Sequence, residues 1–349
     1  MTSIRPFERE DLLEVARLYQ RVMAGVDGPP GKPLLDALAR GLLDHPWVDP
    51  DLPSLVCEDG HGRIAGFQGS HPRRLMLGNE PVRMVCGGQL VADPDATPGV
   101  GMLLLRRLLA GPQEVTITDG ATDEVQAMWA RLGGSTGGIT CLGWTRVLRP
   151  GRFATELAVR RGHRTLGQVW SPERRGRGRA TAAVADELTP ELLMEQVGRS
   201  RAALRPAYDA PFLRWLFAEM EAVPGRGPLA GRIVRDQRGD PIGWYVAYFP
   251  RGGIAQAMGL GSLRPDAGPV IDRLAEDART AGSTAVRGRV DPGLLPALNA
   301  RRCLMRRTEW ALVHYRDERV AAAAGREQSA LTRLDGEWWM NYPALALGS

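Results

Sequence analysis

Apolar positions near the N-terminus recur at helical intervals. Over 9–24, Leu12, Val15, Ala16, Tyr19 and Val22 fall on one face, and a second helix is predicted over 32–44. The period then shortens to two, and "SLVCEDGHGRIAGFQGS" predicts a strand, a glycine-rich turn and a strand. A third strand is predicted over 81–91. "PGVGMLLLRRLLAG" predicts a helix opened by Gly and Pro and stopped by Gly111 and Pro112. "EVTIT" (114–118) alternates as a strand. Val125, Met128, Trp129 and Leu132 then form a helical stripe that ends at Gly133. "GITCLGWTRVL" is predicted to be the last strand of this half.

From about residue 188 the order of elements repeats. "ELLMEQVGRSRAAL" and "APFLRWLFAEME" predict helices, and "GRIVRDQRGDPIGWYVAYF" predicts strand, polar turn, strand. Val56 to Ile64 and Val234 to Ile242 have the same spacing, with Glu58 and Asp236 at matching offsets. A strand at 253–260, a helix at 268–281, a strand at 284–290, a short helix after Pro292 and one long strand, "RRTEWALVHYR", complete the half. Shared element order indicates a duplicated mixed α/β fold. The predicted divisions are 1–149, a basic Arg/Gly/Ala-rich linker at 150–187, 188–320, and a tail at 321–349. Trp338, Trp339 and Tyr342 of the tail are expected to cover an apolar surface.

Composition narrows the class. A chain of 349 residues with 44% hydrophobic content suits two globular domains, and no apolar run reaches the length of a membrane span. "MTSIRPFERE" offers no signal-peptide core, so the cytoplasm is the expected location. Cys57, Cys86, Cys141 and Cys303 are scattered, as are the five His residues, so no structural metal is expected. The net charge of +5 is concentrated in 146–179. That stretch reads as a solvated connector; contact with RNA or an anionic membrane is the alternative.

"GGQLVADPDATPGVGMLLL" places Gly99-Val100-Gly101 between a strand and a strongly apolar helix. With this motif in this order of elements, the first half resembles a GNAT-superfamily acyltransferase and the whole chain the tandem-GNAT arrangement. The resemblance implies two tandem GNAT-like domains on mixed sheets. It also implies an acyl-coenzyme A, such as acetyl-CoA, whose pyrophosphate rests on the helix N-terminus. Carried over by position, the cofactor residues are Val91, Ala92, Pro98, Gly99, Val100, Gly101 and Met102, with backbone N–H groups near Val91 and Ala92 polarising the thioester. Two positions depart from the family pattern. Ala96 stands where Arg or Gln is usual, and Trp129 where a Tyr would protonate the leaving thiolate. The second half has "MGLGSLRPDAG" in place of a glycine loop and is expected to be a degenerate copy. "PERRGRGRA" also fits the family's Arg-x-x-Gly-x-Ala loop from Arg175 to Ala180, but it lacks a preceding strand and a following apolar helix. It reads as linker, with a phosphate loop as the alternative.

The acceptor must lose a proton to a carboxylate or His. Asp93 and Gln89 beside the fourth strand, and Glu309 and Tyr315 in the second half, are the catalytic candidates. Asp93 has a turn role as its alternative, and the other pair a solvated strand edge. The expected activity is direct N- or O-acyl transfer to a small-molecule or sugar-type acceptor, in a possible homodimer. A non-catalytic binding protein of this fold is one alternative. The other is a FemAB-like transferase using aminoacyl-tRNA, the only reading in which nucleic acid is a partner.

Overall fold

The computed structural model describes residues 2–96, 98–136, 138–160, 183–307, 310–325, 329–340, 342 and 345, with only the backbone at 156–160, 310 and 325. In chain order the elements are β1 (Ser3–Pro6), α1 (Leu12–Ala24), α2 (Lys32–Leu42), β2 (Leu55–Glu58), β3 (Ile64–Leu77), β4 (Glu80–Ala92), α3 (Val100–Leu109), β5 (Val115–Ala121), α4 (Asp123–Arg131), β6 (Ser135–Thr136) and β7 (Leu142–Val147). There follow α5 (Pro150–Arg160), β8 (Val184–Glu187), α6 (Pro190–Gly198), β9 (Leu204–Pro206), α7 (Ala210–Glu221), β10 (Leu229–Arg235), β11 (Pro241–Tyr248), β12 (Ile254–Ser262) and α8 (Gly268–Thr280). The last are β13 (Ala285–Arg289), α9 (Leu295–Ala300), β14 (Leu304–Arg307), β15 (Trp310–Tyr315) and α10 (Glu318–Gly325). Among the described residues, no helix is long and apolar enough to cross a membrane.

The fold is mixed α/β, and the chain separates into two compact units. The first comprises Met1–Gly137, Arg201–Pro224 and Glu309–Ser349. Its sheet has the order β1-β2-β3-β4-β5-β15-β6, with β9 added to β3. Only β4 and β5 run parallel, because α3 carries the chain across one face between them. The helix packs closely: a side chain on Gly66 of β3 would come within 2.5 Å of Val100. Leu104 and Leu108 of α3 pack with Leu52, Leu55, Cys57 and Val85.

The second unit comprises Gly138–Ser200 and Gly225–Thr308. Its sheet follows the same plan, β14-β7-β13-β12-β11-β10-β8, with β12 and β13 parallel and α8 between them. The two turns that suggested duplication are the same structure. Asp59 accepts from the N–H groups of His61 and Arg63, and Asp236 from those of Arg238 and Asp240. The counterpart of Asp236 is therefore Asp59, one residue beyond the Glu58 that simple spacing suggests.

The strand read as the end of the first half, β7, pairs with β13 of the second sheet. Its Trp144 is buried against Gly288, where an added side chain would come within 2.9 Å of the ring. Conversely, "RRTEWALVHYR" is not one strand. It divides into β14 beside β7 and β15 beside β5. Each parallel pair thus takes its next neighbour from the other half of the sequence. Periodicity sees the strands but not this exchange.

Candidate functional site

In the first unit β4 departs from regular pairing at one point. Phe67 faces Val91 and Gly69 faces Gly88, so Gln89 and Leu90 together oppose Gln68. This is a β-bulge, and it leaves one residue out of the ladder. Gln89 adopts a φ of 51°, in the left-handed region. Gln68 ties β3 to β4 by donating to the carbonyls of Gly69 on its own strand (2.9 Å) and Gly88 on the partner (2.8 Å). The carboxamide of Gln89 lies 2.7 Å from Nε2 of the buried His71, whose Nδ1 is 3.2 Å from the Gly41 carbonyl of α2. Burial first, and the nearby Arg73 charge second, lower the His71 pKa to about 4. The neutral ring carries one proton, and the short contact at Nε2 claims it: Nε2–H donates to Oε1 of Gln89.

The bulge leads through a turn at Asp93 into α3. Gly99 caps the helix at a φ of 95°, a conformation that L side chains rarely adopt, and the position where a Cβ would project is open. The first-turn N–H groups of a helix have no intrahelical partner, and Gly99 has no side chain to cap them. The equivalent helix of the second unit is closed. Asp266 accepts from the N–H of Gly268 (2.8 Å), Pro269 has no N–H to offer, and the Arg301 guanidinium lies where a side chain at Gly268 would project. One helix start can receive an anion, and the other is filled by its own chain.

β4 and β5 pair only at Met84–Val115, Val85–Thr116 and Cys86–Ile117, although both strands continue to Ala92 and Ala121. Between the separating ends stands Glu337, from the segment after α10. Its carboxylate lies 3.0 Å from where a Cβ on Gly88 would be and 3.4 Å from that of Gly120. Thr118 Oγ1 donates to it, and so does Cys86 Sγ (3.2 Å). The segment is fixed at two points. Asp335 accepts from Tyr208 OH (2.6 Å) and the Thr332 N–H (2.7 Å), and Asp119 Oδ1 accepts from the N–H groups of Glu337 (2.9 Å) and Trp338 (3.0 Å). Oδ2 of the buried Asp119 has no partner among the described residues.

Burial, followed by the Asp119 charge, raises the Glu337 pKa to about 8. Burial also pushes the Cys86 thiol well up. Cys86, Asp119 and Glu337 offer ligand atoms within 4.8 Å of one another. A cation bound there would have to displace protons from the thiol and the carboxyl. Nearby, α2, α7 and the C-terminal segment border a half-open cleft of about 250 Å³, lined by Gly41, Trp215, Trp339 and Tyr342 with Arg40 and Glu219 among its polar residues.

The residues singled out in the sequence fare differently. Val91, Ala92, Gly99, Val100, Gly101 and Met102 lie on the bulged strand and the opening turn of α3, with Pro98 exposed just before it. Gln89 is at the bulge itself. Asp93 is committed elsewhere, bound by Arg21 (2.5 Å) and accepting from the Asp95 N–H (3.0 Å) in a turn. Tyr315 pairs with Val115 at the far end of β5 and packs on the cluster of Leu75, Val82 and Met84. Trp129 is buried, with its indole N–H on the Val313 carbonyl (2.9 Å). Glu309 and the Arg175–Ala180 stretch lie outside the described residues. Sequence reading missed Glu337. Its one signal was a tail too apolar to be free, "GEWWMNY", which drew attention to the aromatics and away from the acid among them.

No protein-family model and no curated protein matches the sequence. Solved structures do match its fold. A GCN5-related N-acetyltransferase from Anabaena variabilis aligns with a TM-score of 0.59 at 12% identity, covering 91% of this chain and 74% of that one. A probable N-acyltransferase from Enterococcus faecalis gives 0.57 at 9%, covering 90% and 73%. Saccharomyces cerevisiae N-myristoyltransferase, solved with myristoyl-CoA, gives 0.51 at 11%, covering 90% and 79%. The chain has the fold of the GCN5-related N-acetyltransferases.

Proposed function

We propose that this protein is an acyl-CoA-dependent acyltransferase that moves the acyl group directly to a small-molecule or sugar-type acceptor. One observation carries the reading: an uncapped helix N-terminus at Gly99 follows the β4 bulge, beside strands that have parted. The residues fit the donor. Backbone N–H groups at Gly99–Met102 would receive the pyrophosphate, supported by the helix dipole. The bulge at Gln89 and Leu90 frees backbone polar groups beside Val91 to polarise a carbonyl. An acyl-CoA would supply the activated thioester. The cleft beside Gly41 gives room for an acceptor, and Gly41 and Gln89 both contact His71. The closed start of α8 supports a single working site.

Calorimetric titration with coenzyme A and acetyl-CoA at moderate salt tests this reading. Saturable micromolar binding is expected, and Gly99→Glu with Gly101→Glu should abolish it. No binding at millimolar ligand would sink the reading.

A further inference from the structure

Resting on the transferase reading, we propose that Glu337 is the general base that removes the proton from the acceptor amine. The placement argues for it. The strands part where a donor would lie, and the carboxylate stands in that gap, flanked by two glycines whose missing side chains leave it room. Among the described residues, the other candidates are spent. Asp93 is tied to Arg21, and Gln89 has no basicity. His71 is sealed, with Nε2 bound to Gln89 and Nδ1 facing the Gly41 carbonyl.

The surroundings also suit a base. Glu337 accepts from Thr118 and Cys86, so its orientation is fixed without a cation to quench it. The titratable groups facing it are Asp119 from β5, Cys86 from β4 and Tyr19 from α1, whose own pKa it helps to raise. Arg73 of β3 acts on Cys86, lowering its pKa against the effect of burial. A carboxyl raised to about 8 is a stronger base than an ordinary carboxylate and narrows the gap to an alkyl ammonium to about two to three units.

The step is conserved in atoms and charge. An acceptor R–NH₃⁺ gives one proton to the Glu337 carboxylate and becomes R–NH₂. Its lone pair forms the C–N bond to the thioester carbon as the C–S bond breaks, and the electron pair leaves with sulfur. The second nitrogen proton neutralises the thiolate, and Glu337 returns its proton to solvent.

The test uses the full chain with acetyl-CoA, ethylamine and hydroxylamine as probes, following thiol release and, separately, acetyl-CoA binding. For Glu337→Gln, binding should stay within about threefold of wild type while ethylamine turnover falls about 10²–10⁴-fold. The loss should be smaller with hydroxylamine, which is already unprotonated at assay pH. Wild-type turnover of ethylamine should climb with pH to a plateau above about 8, the glutamine variant should show no plateau there and keep rising with the free-amine fraction, and Glu337→Asp should recover part of the rate. Asp119→Asn keeps an oxygen for both N–H groups and removes the repelling charge, so it should move the midpoint down by about one unit.

Turnover by Glu337→Gln within threefold of wild type, with the same pH profile, would overturn the assignment. So would equal losses of binding and turnover in both the glutamine and aspartate variants, which would make the residue structural. Wild type that fails to bind acetyl-CoA would instead defeat the transferase reading, and this inference with it.

Discussion

The indole N–H of Trp129 donates to the backbone carbonyl of Val313 at 2.9 Å, so α4 holds the strand that the end of the chain adds beside β5. The position where the family pattern has a tyrosine serves here as a buried anchor. Trp129→Phe keeps much of the ring area but leaves a carbonyl without its donor, at a cost of about 1–3 kcal/mol in denaturant unfolding. Trp129→Tyr should not increase turnover at any pH, because the side chain is only 2% exposed. A rate gain with tyrosine would show that the position faces the reacting groups.

Gln89 is held at a positive φ by its contact with His71. Gln89→Ala removes that contact, leaves Nε2 of a buried ring unpaired and keeps the strained backbone. The expected loss is about 2–3 kcal/mol. Gln89→Gly loses the same contact but relieves the backbone, so it should be the milder of the two by about 1 kcal/mol. Urea unfolding of the pair checks the order. A glycine variant less stable than alanine would show that the conformation is not strained.

Much of this was legible in the chain. Helical spacing found α1, α3, α4 and α8, and the two matched hairpin turns pointed to a second sheet of similar plan, because local periodicity is set by which face is buried. The exchange of β7 and β15 was not legible, since pairing partners far apart in sequence leave no local pattern. Glu337 escaped for a similar reason. Its meaning comes from Gly88, Thr118 and Gly120, more than two hundred residues earlier, and nothing in "DGEWWMNY" points to them.

Gly99 and Gly101 invite the same substitution with different outcomes. At Gly99 the φ of 95° makes any side chain strained, so Gly99→Ala should cost about 1–2 kcal/mol and weaken acetyl-CoA binding at least tenfold. A Cβ at Gly101 meets only Met128, at an ordinary 3.8 Å, so Gly101→Ala should fold as well as wild type. Calorimetry beside urea unfolding separates the two effects. Equal binding losses at both positions, with no stability difference, would contradict a role for the Gly99 conformation.

The Glu337 carboxyl also makes stability depend on pH in a direction opposite to most acids. Its pKa is about 8 in the folded chain against an ordinary 4.5, through burial and then the Asp119 charge. Below 4.5 the group is protonated folded and unfolded alike and contributes no slope. Between the two values the folded chain keeps a proton that the unfolded chain has lost, so stability falls as pH rises, by up to about 1.4 kcal/mol per unit. Above about 8 both states are ionised and the slope ends. His71, lowered to about 4 from 6.5, acts the other way, and its contribution is lost only as pH falls below 6.5. The clean window is therefore pH 6.5 to 8. Across it, urea unfolding should show Glu337→Gln gaining steadily on wild type, and Asp119→Asn should flatten the wild-type slope in part. A difference between wild type and Glu337→Gln that stays constant across that window would mean the carboxyl is already ionised in the folded protein, with Asp119 failing to hold its proton on.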